Sequence, residues 1–310
     1  MPRPRDSARA AQIRAGLEQF DASIRRLPGI HGDRRKEALI EQMLESIHRV
    51  EYVARIRQRD ISPSRKNPHS EMFDPLKAAI LYQNAGDIDE AFWMVFLFVH
   101  FGKHAKTGWR LARDIYGALG GQIWTWSRVS ANPTAFRQWL ASNLGTLLGD
   151  DGIARHFGNH RKYLSLKDSG TGAAVGTYVA WVGPSGHHST RVQQTLEECN
   201  RNPFETFDKL YRSMAAVRSF GRTARFDYLT MVGKLGLAPI EPGSTYMQGA
   251  TGPFAGARLL FGDTLGEMTR TQCDAQLRQL GERTGLGMQV LEDSLCNWQK
   301  NPDKFVRFRG

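Results

Sequence analysis

Cysteine is scarce in this chain. Cys199, Cys273 and Cys296 lie far apart with no CxxC spacing, a pattern that argues against a disulfide framework and for a reducing compartment. Three thiols are also too few for a four-cysteine iron–sulfur cluster. The HxE and PCxxC pair of zinc deaminases is absent. Long apolar runs are missing as well. The longest, Ala91 to Phe101, contains His100 and is too short to span a bilayer, so it reads as a buried helix. The opening MPRPRDSARAAQIR lacks the apolar core of a signal peptide, and the expected location is the cytoplasm, with no membrane partner. No Walker loop, Rossmann fingerprint or nucleophile elbow occurs. Nor is there an internal repeat, or an alternating run long enough to build a sheet. The expected fold is all-α.

Negative charge is in deficit. Lys and Arg number 42 against 31 Asp and Glu, a net charge of +11. Such an excess attracts polyanions and speeds their encounter, although a basic surface kept for solubility has the same composition. The 310 residues include 7 Trp, 16 Phe and 8 Tyr, enough for one large core or two modest ones. Between Lys36 and Ile56, apolar Leu39, Ile40, Met43, Leu44, Ile47, Val50 and Val53 recur at helical steps, with Arg49, Arg55, Arg57 and Arg59 off that stripe. Residues 1–60 are therefore expected to be a basic, amphipathic helical extension. The proline-punctuated segment Asp60 to Pro75 reads as a loop. Residues 61–310 are expected to form a single compact multi-helix domain. Within it, helices are expected over Asp87 to Phe101, Trp109 to Leu119, from Asn132 onward, from Pro203 onward, and over Phe226 to Leu235. Further helices are expected over Phe254 to Phe261, Thr269 to Thr284 and Met288 to Trp298. Gly170 to Ser189 reads as a loop or a helix broken by glycines.

Three clusters carry candidate chemistry. His156 to Tyr163 (HFGNHRKY) combines imidazoles, cations and aromatic rings, as a segment that touches phosphates and stacks on a base would. An ordinary basic loop has the same make-up. A metal held by His156 and His160 would need a helix that Gly158 disfavours. In Phe220 to Tyr228 (FGRTARFDY), Asp227 lies among rings, where Arg222 or Arg225 can keep it ionised and aimed at a developing cation. A helix cap or an ion pair is the alternative. In Gly249 to Arg258, glycines at a helix start expose N–H groups to an anion and Arg258 adds charge, while tight helix packing would ask for the same glycines.

The tracts DPLKAAI (Asp74 to Ile80), DEAFWMVFLFVHFGK (Asp89 to Lys103), FGNHRKY (Phe157 to Tyr163), YVAWVG (Tyr178 to Gly183), FGRTARFDYL (Phe220 to Leu229) and GPFAGARLLFG (Gly252 to Gly262), in that order, resemble the all-helical alpha-glutamyl/putrescinyl thymine pyrophosphorylases. That family overlaps with amino acid:DNA transferases and with the helical domain of hydroxymethyluridine DNA kinases. The resemblance spans about residues 60 to 265. It implies one of two activities on double-stranded DNA carrying hypermodified bases. One is transfer of an amino acid or polyamine to an activated hydroxymethyluracil with loss of pyrophosphate. The other is the base-flipping, antiviral activity of a bacterial DNA glycosylase, a hydrolase that removes glucosylated hydroxymethylcytosine from bacteriophage DNA and leaves abasic sites. A stand-alone chain without a kinase P-loop fits the glycosylase better. A non-catalytic DNA-binding protein is a third reading.

Glycosidic cleavage develops positive charge on the deoxyribose, so the mechanism asks for a carboxylate beside the sugar. Asp227 is the first expected candidate, with Glu90 and Asp89 behind it, and His160 is expected to contact the leaving base or its sugar. Lys103, Arg161, Lys162, Arg222 and Arg258 are expected at phosphates. Trp109 and Tyr163 are expected to stack on an extruded base. No cofactor or metal is implied, and activity is expected to survive EDTA.

Overall fold

The computed structural model describes residues 6–307; the start of the N-terminal tract, MPRPR, lies outside them. The described residues are all-α. In chain order the helices are α1 (Ser7–Ser23), α2 (Asp33–Arg57), α3 (Pro75–Asn84), α4 (Ile88–Phe101), α5 (Arg110–Tyr116), α6 (Trp126–Ala131), α7 (Pro133–Ser142), α8 (Leu144–Leu148), α9 (Ala173–Val182), α10 (His188–Glu198), α11 (Pro203–Ser213), α12 (Arg222–Leu235), α13 (Gly252–Phe261), α14 (Arg270–Thr284) and α15 (Met288–Trp298). No strand occurs among the described residues; one isolated bridge pairs His104 with Gly108. None of these helices is long and apolar enough to cross a membrane.

The chain divides into two compact units, one joining Met1–Arg55 to Pro242–Arg309 and the other formed by Ile56–Glu241. In the first, α1 packs on α14 and α13 on α15. Ile13, Leu17 and Phe20 of α1 share a core with Leu39, Ile40 and Met43 of α2 and with Leu277, Leu280, Leu291 and Leu295 from the far end of the chain. The helices approach closely because two positions have no side chain. A Cβ on Gly16 would strike the Arg283 carbonyl, and one on Gly256 the Leu295 carbonyl. Asp293 of α15 accepts from Ser46 and Arg49 of α2, tying the two ends of the chain together.

In the second unit α4 is the central element, packed against α3, α5, α6, α10 and α12. Its sequence explains its place: nearly every side chain from Glu90 to Phe101 is buried, so only a helix surrounded by others satisfies it. Phe96 lies between Tyr178 and Phe220, with ring centroids 4.3 and 5.0 Å away. Truncating such a ring to Ala costs about 3–5 kcal/mol. Local signals set the helix ends. Asp74, Asp87, Asn132 and Asn202 each accept a backbone N–H of the first turn they precede. Gly102, with φ 65°, ends α4, and left-handed Gly236 ends α12. Helix α5 stops at Gly117, short of the expected Leu119, because Ala118 and Leu119 turn to positive φ. The glycine-rich Gly170 to Ser189 segment resolves into a single wide turn, Asp168–Gly172, followed by α9.

Candidate active site

The acidic first turn of α4 opens into a cavity of about 390 Å³, lined by Tyr82, Asp87, Asp89, Glu90, Trp126 and His187 together with small residues of the α6 and α10 approaches. The two carboxylates of this turn behave oppositely. Glu90 is buried. Its Oε1 accepts from the Tyr116 hydroxyl at 2.7 Å and its Oε2 from the Trp126 N–H at 2.6 Å. Burial pushes the Glu90 carboxyl up to about 7, against those two hydrogen bonds, with Asp87 and Asp89 adding repulsion. Burial also acts to raise Asp89, but hydrogen bonds from His188 and His187 outweigh it and hold Asp89 at about 2. One acid is thus partly protonated at neutral pH beside one that is fully ionised.

Two adjacent imidazoles surround Asp89. His187 Nδ1 is 2.7 Å from Oδ2, His188 Nδ1 is 2.8 Å from Oδ1, and the His188 backbone N–H donates to Oδ1 at 2.7 Å. An ionised carboxylate only accepts, so each neutral ring places its proton on Nδ1 and leaves Nε2 as an acceptor. For His188 that acceptor meets the Tyr178 hydroxyl at 2.8 Å, and Tyr178 meets Tyr228 at 2.7 Å. Burial lowers the His188 pKa despite Asp89, so the ring stays neutral and Tyr178 donates to it. His187 is largely exposed and lines the cavity.

The other end of α4 is different in kind. Gly158 N–H donates to the Phe101 carbonyl at 2.8 Å, and Gly158 lies so close to Gly102 and Lys103 that a Cβ would collide with them. The FGNHRKY tract is thereby laid across the end of the helix. Arg161 inserts there, donating to the Val99 carbonyl at 2.8 Å and pairing with Asp227 of α12 at 2.8 Å. Arg161, rather than Arg222 or Arg225, is the partner of Asp227. Arg222 lies over the Phe226 ring, and Arg225 over Tyr211 while donating to the Tyr211 carbonyl. Beneath the pair, burial and then the Arg161 charge push His100 down to about 3, so it is neutral. Around the pair, Lys103, Lys106, His156, His160 and Lys162 are exposed, the His104 and His156 rings are 4.9 Å apart, and Tyr163 projects into solvent beside Lys162.

The structure thus gathers Asp227, Arg161, Lys162, Tyr163, His160 and Lys103 at one end of α4, while Glu90 lies at the other, about 18 Å away along the helix axis. Trp109 is half-buried against Phe98. In the other unit, Arg258 pairs with Asp263, and the glycines before it face α15. Sequence reasoning did not single out Tyr82, Tyr116, Trp126, His187 or His188 for the site. The adjacent histidines after a Gly-Pro-Ser-Gly turn were the one local signal. Among the described residues no group of three or more His, Cys, Asp or Glu side chains is arranged to hold a metal ion.

Comparison with curated proteins and with solved structures finds no match. A family model does match, over residues 34–310, and so includes both ends of α4 and every helix from α3 onward. The chain belongs to the alpha-glutamyl/putrescinyl thymine pyrophosphorylase family, clade 3.

Proposed function

We propose that this protein is a DNA glycosylase that excises a hypermodified base, with glucosylated hydroxymethylcytosine in phage DNA as its substrate. Its family makes it a DNA-modification-related enzyme; the bond it breaks is the proposal. The supporting observation is the cavity at the start of α4, where Glu90 at about 7 and Asp89 at about 2 stand on one helical turn. Two carboxyl groups whose environments drive their pKa values apart are suited to acid and base roles. The basic tract at the far end of α4 holds the strand by its phosphates, with Lys103, Lys162 and His160 as contacts and Tyr163 as a stacking ring, while Arg161, paired with Asp227, anchors the tract and adds its charge to the field.

In the cavity, an extruded base brings its glycosidic bond beside Asp89, whose fixed negative charge stabilises the cationic sugar as the bond to the base lengthens. Water, accepted by His187 Nε2, adds to C1′ and gives up a proton to the ring. Glu90 supplies the proton the departing base needs. A base carrying a sugar is bulky, and a cavity of about 390 Å³ has the volume of a ligand site.

A second reading rests on the same lining. Asp87, Asp89 and Glu90 together suit an amine, which a transferase would add to an activated hydroxymethyluracil. One experiment separates the two. Purified protein is incubated in EDTA with phage DNA carrying glucosyl-hydroxymethylcytosine or with plain DNA, and free base and abasic sites are measured. Release from the modified DNA alone is expected. No release there, with amine attachment to pyrophosphorylated hydroxymethyluracil DNA, would assign the transferase instead.

A further inference from the structure

Glu90 borders the cavity but is only 4% exposed, and each of its oxygens already meets a donor, so its proton is held by the Tyr116 side and not offered to the cavity. The hydrogen bonds continue outward, however. The Tyr116 hydroxyl on α5 is 3.0 Å from the Tyr82 hydroxyl on α3, and Tyr82 lines the cavity. We propose that Tyr82 is the catalytic acid that touches the leaving base, and that Glu90 acts behind it as the proton source through Tyr116. This rests on the glycosylase reading above.

A hydroxyl chain has two polarities, and Glu90 selects between them. With Glu90 neutral, its O–H donates to Tyr116, Tyr116 donates to Tyr82, and the Tyr82 proton is left for the cavity. With Glu90 ionised, Oε1 accepts from Tyr116, Tyr116 accepts from Tyr82, and the cavity meets only a lone pair. Trp126 N–H serves Oε2 in both states. In the reaction the bond from C1′ to the base breaks and its electron pair goes to the base, which takes the Tyr82 proton. Tyr82 takes that of Tyr116, Tyr116 takes that of Glu90, and Glu90 is left as the carboxylate. Water bonds to C1′ and its proton goes to His187. Solvent then removes that proton and returns one to Glu90 through Tyr82. The groups that face the chain are Asp87 and Asp89 from the turn of Glu90, His187 through Asp89, and Lys66, whose ammonium lies 5.1 Å from the Tyr82 ring.

The test uses Tyr82→Phe, Tyr116→Phe and the double variant, with single-turnover base release followed from pH 5 to 9. Each single variant is expected to slow release about 100-fold with DNA affinity unchanged. The double variant is expected to be no slower than Tyr116→Phe, because both changes cut one chain. The decline of the wild-type rate as pH rises through 7 is expected to vanish in all three. A second readout needs no substrate: the infrared carboxyl band lost in Glu90→Gln should shift in Tyr116→Phe and, by less, in Tyr82→Phe. Full-rate release by Tyr82→Phe from DNA that the wild type cleaves would overturn the relay and leave the glycosylase standing. If the wild type releases no base, the glycosylase reading fails. The infrared band then decides the chain: a shift supports it, and an unmoved band in Tyr116→Phe removes it.

Discussion

Helix α4 ends in two contrasting environments. Its N-terminal turn presents carboxyl groups to a cavity where burial, hydrogen bonds and neighbouring charge set protonation. Its C-terminal end carries an open, basic tract whose Arg161 is paired with Asp227 of α12. The contrast runs with the helix dipole at the start, where partial positive charge favours the acids of the first turn. At the other end the basic tract is contributed chiefly by a different segment, laid over the helix terminus by Gly158. In the proposed reading, one end serves chemistry and the other holds a polyanion.

The sharpest way to break this contrast is Glu90→Gln. It is expected to reduce single-turnover base release about 1,000-fold, within the range of a lost general acid, while gel-shift affinity for the same DNA stays put. Next is stability. The folded pKa of Glu90, about 7, lies above its ordinary 4.5, so between those values the folded protein holds more protons than the unfolded chain. The contribution is complete below 4.5 and disappears as pH rises through 7. Denaturant melts should show wild-type stability falling relative to Glu90→Gln by roughly 3 kcal/mol over that window; parallel curves would place the raised pKa elsewhere. At the basic end, joint Lys103→Glu and Lys162→Glu should weaken DNA binding by about tenfold and lower the salt slope by about 0.9 for each phosphate no longer neutralised. The chemical step at saturating DNA should not change. The smallest effect is expected of Asp227→Asn, a loss of release below about tenfold. A loss matching that of Glu90→Gln would move the catalytic carboxylate to α12.

Much of the fold was legible because its signals are local. The stripe from Leu39 to Val53 announced α2, and Asp87 with an apolar run announced α4. The short helices α6 and α8 were not read, and neither were α3 and α10. Helix α3 begins at the last proline of the expected loop, and α10, HSTRVQQTLEE, has few apolar residues although it buries His188, Val192 and Leu196. The candidate site was legible only as separate residues. Asp89, Glu90 and Asp227 were named from sequence, yet their partners stand far away along the chain. Asp227 was expected to pair with arginines on its own helix, and its partner is 66 residues earlier. Glu90 depends on Trp126, 36 residues on, and Asp89 on His188, 99 residues on. Helical spacing carries information over a few turns. It does not say which distant side chain fills a particular lone pair.

The unit that joins both ends of the chain has a consequence for synthesis. Ile13, Leu17, Phe20, Leu39 and Met43 leave the ribosome well before Leu277, Leu280 and Leu295, with which they share a core. The whole of Ile56–Glu241 is made in between. At about 5–20 residues per second, the wait is roughly 10 to 40 s. For that time α1 and α2 have only each other to cover their apolar stripes, without the later helices that complete the core, and slowing translation near residue 240 should make chaperone capture of the nascent chain last longer.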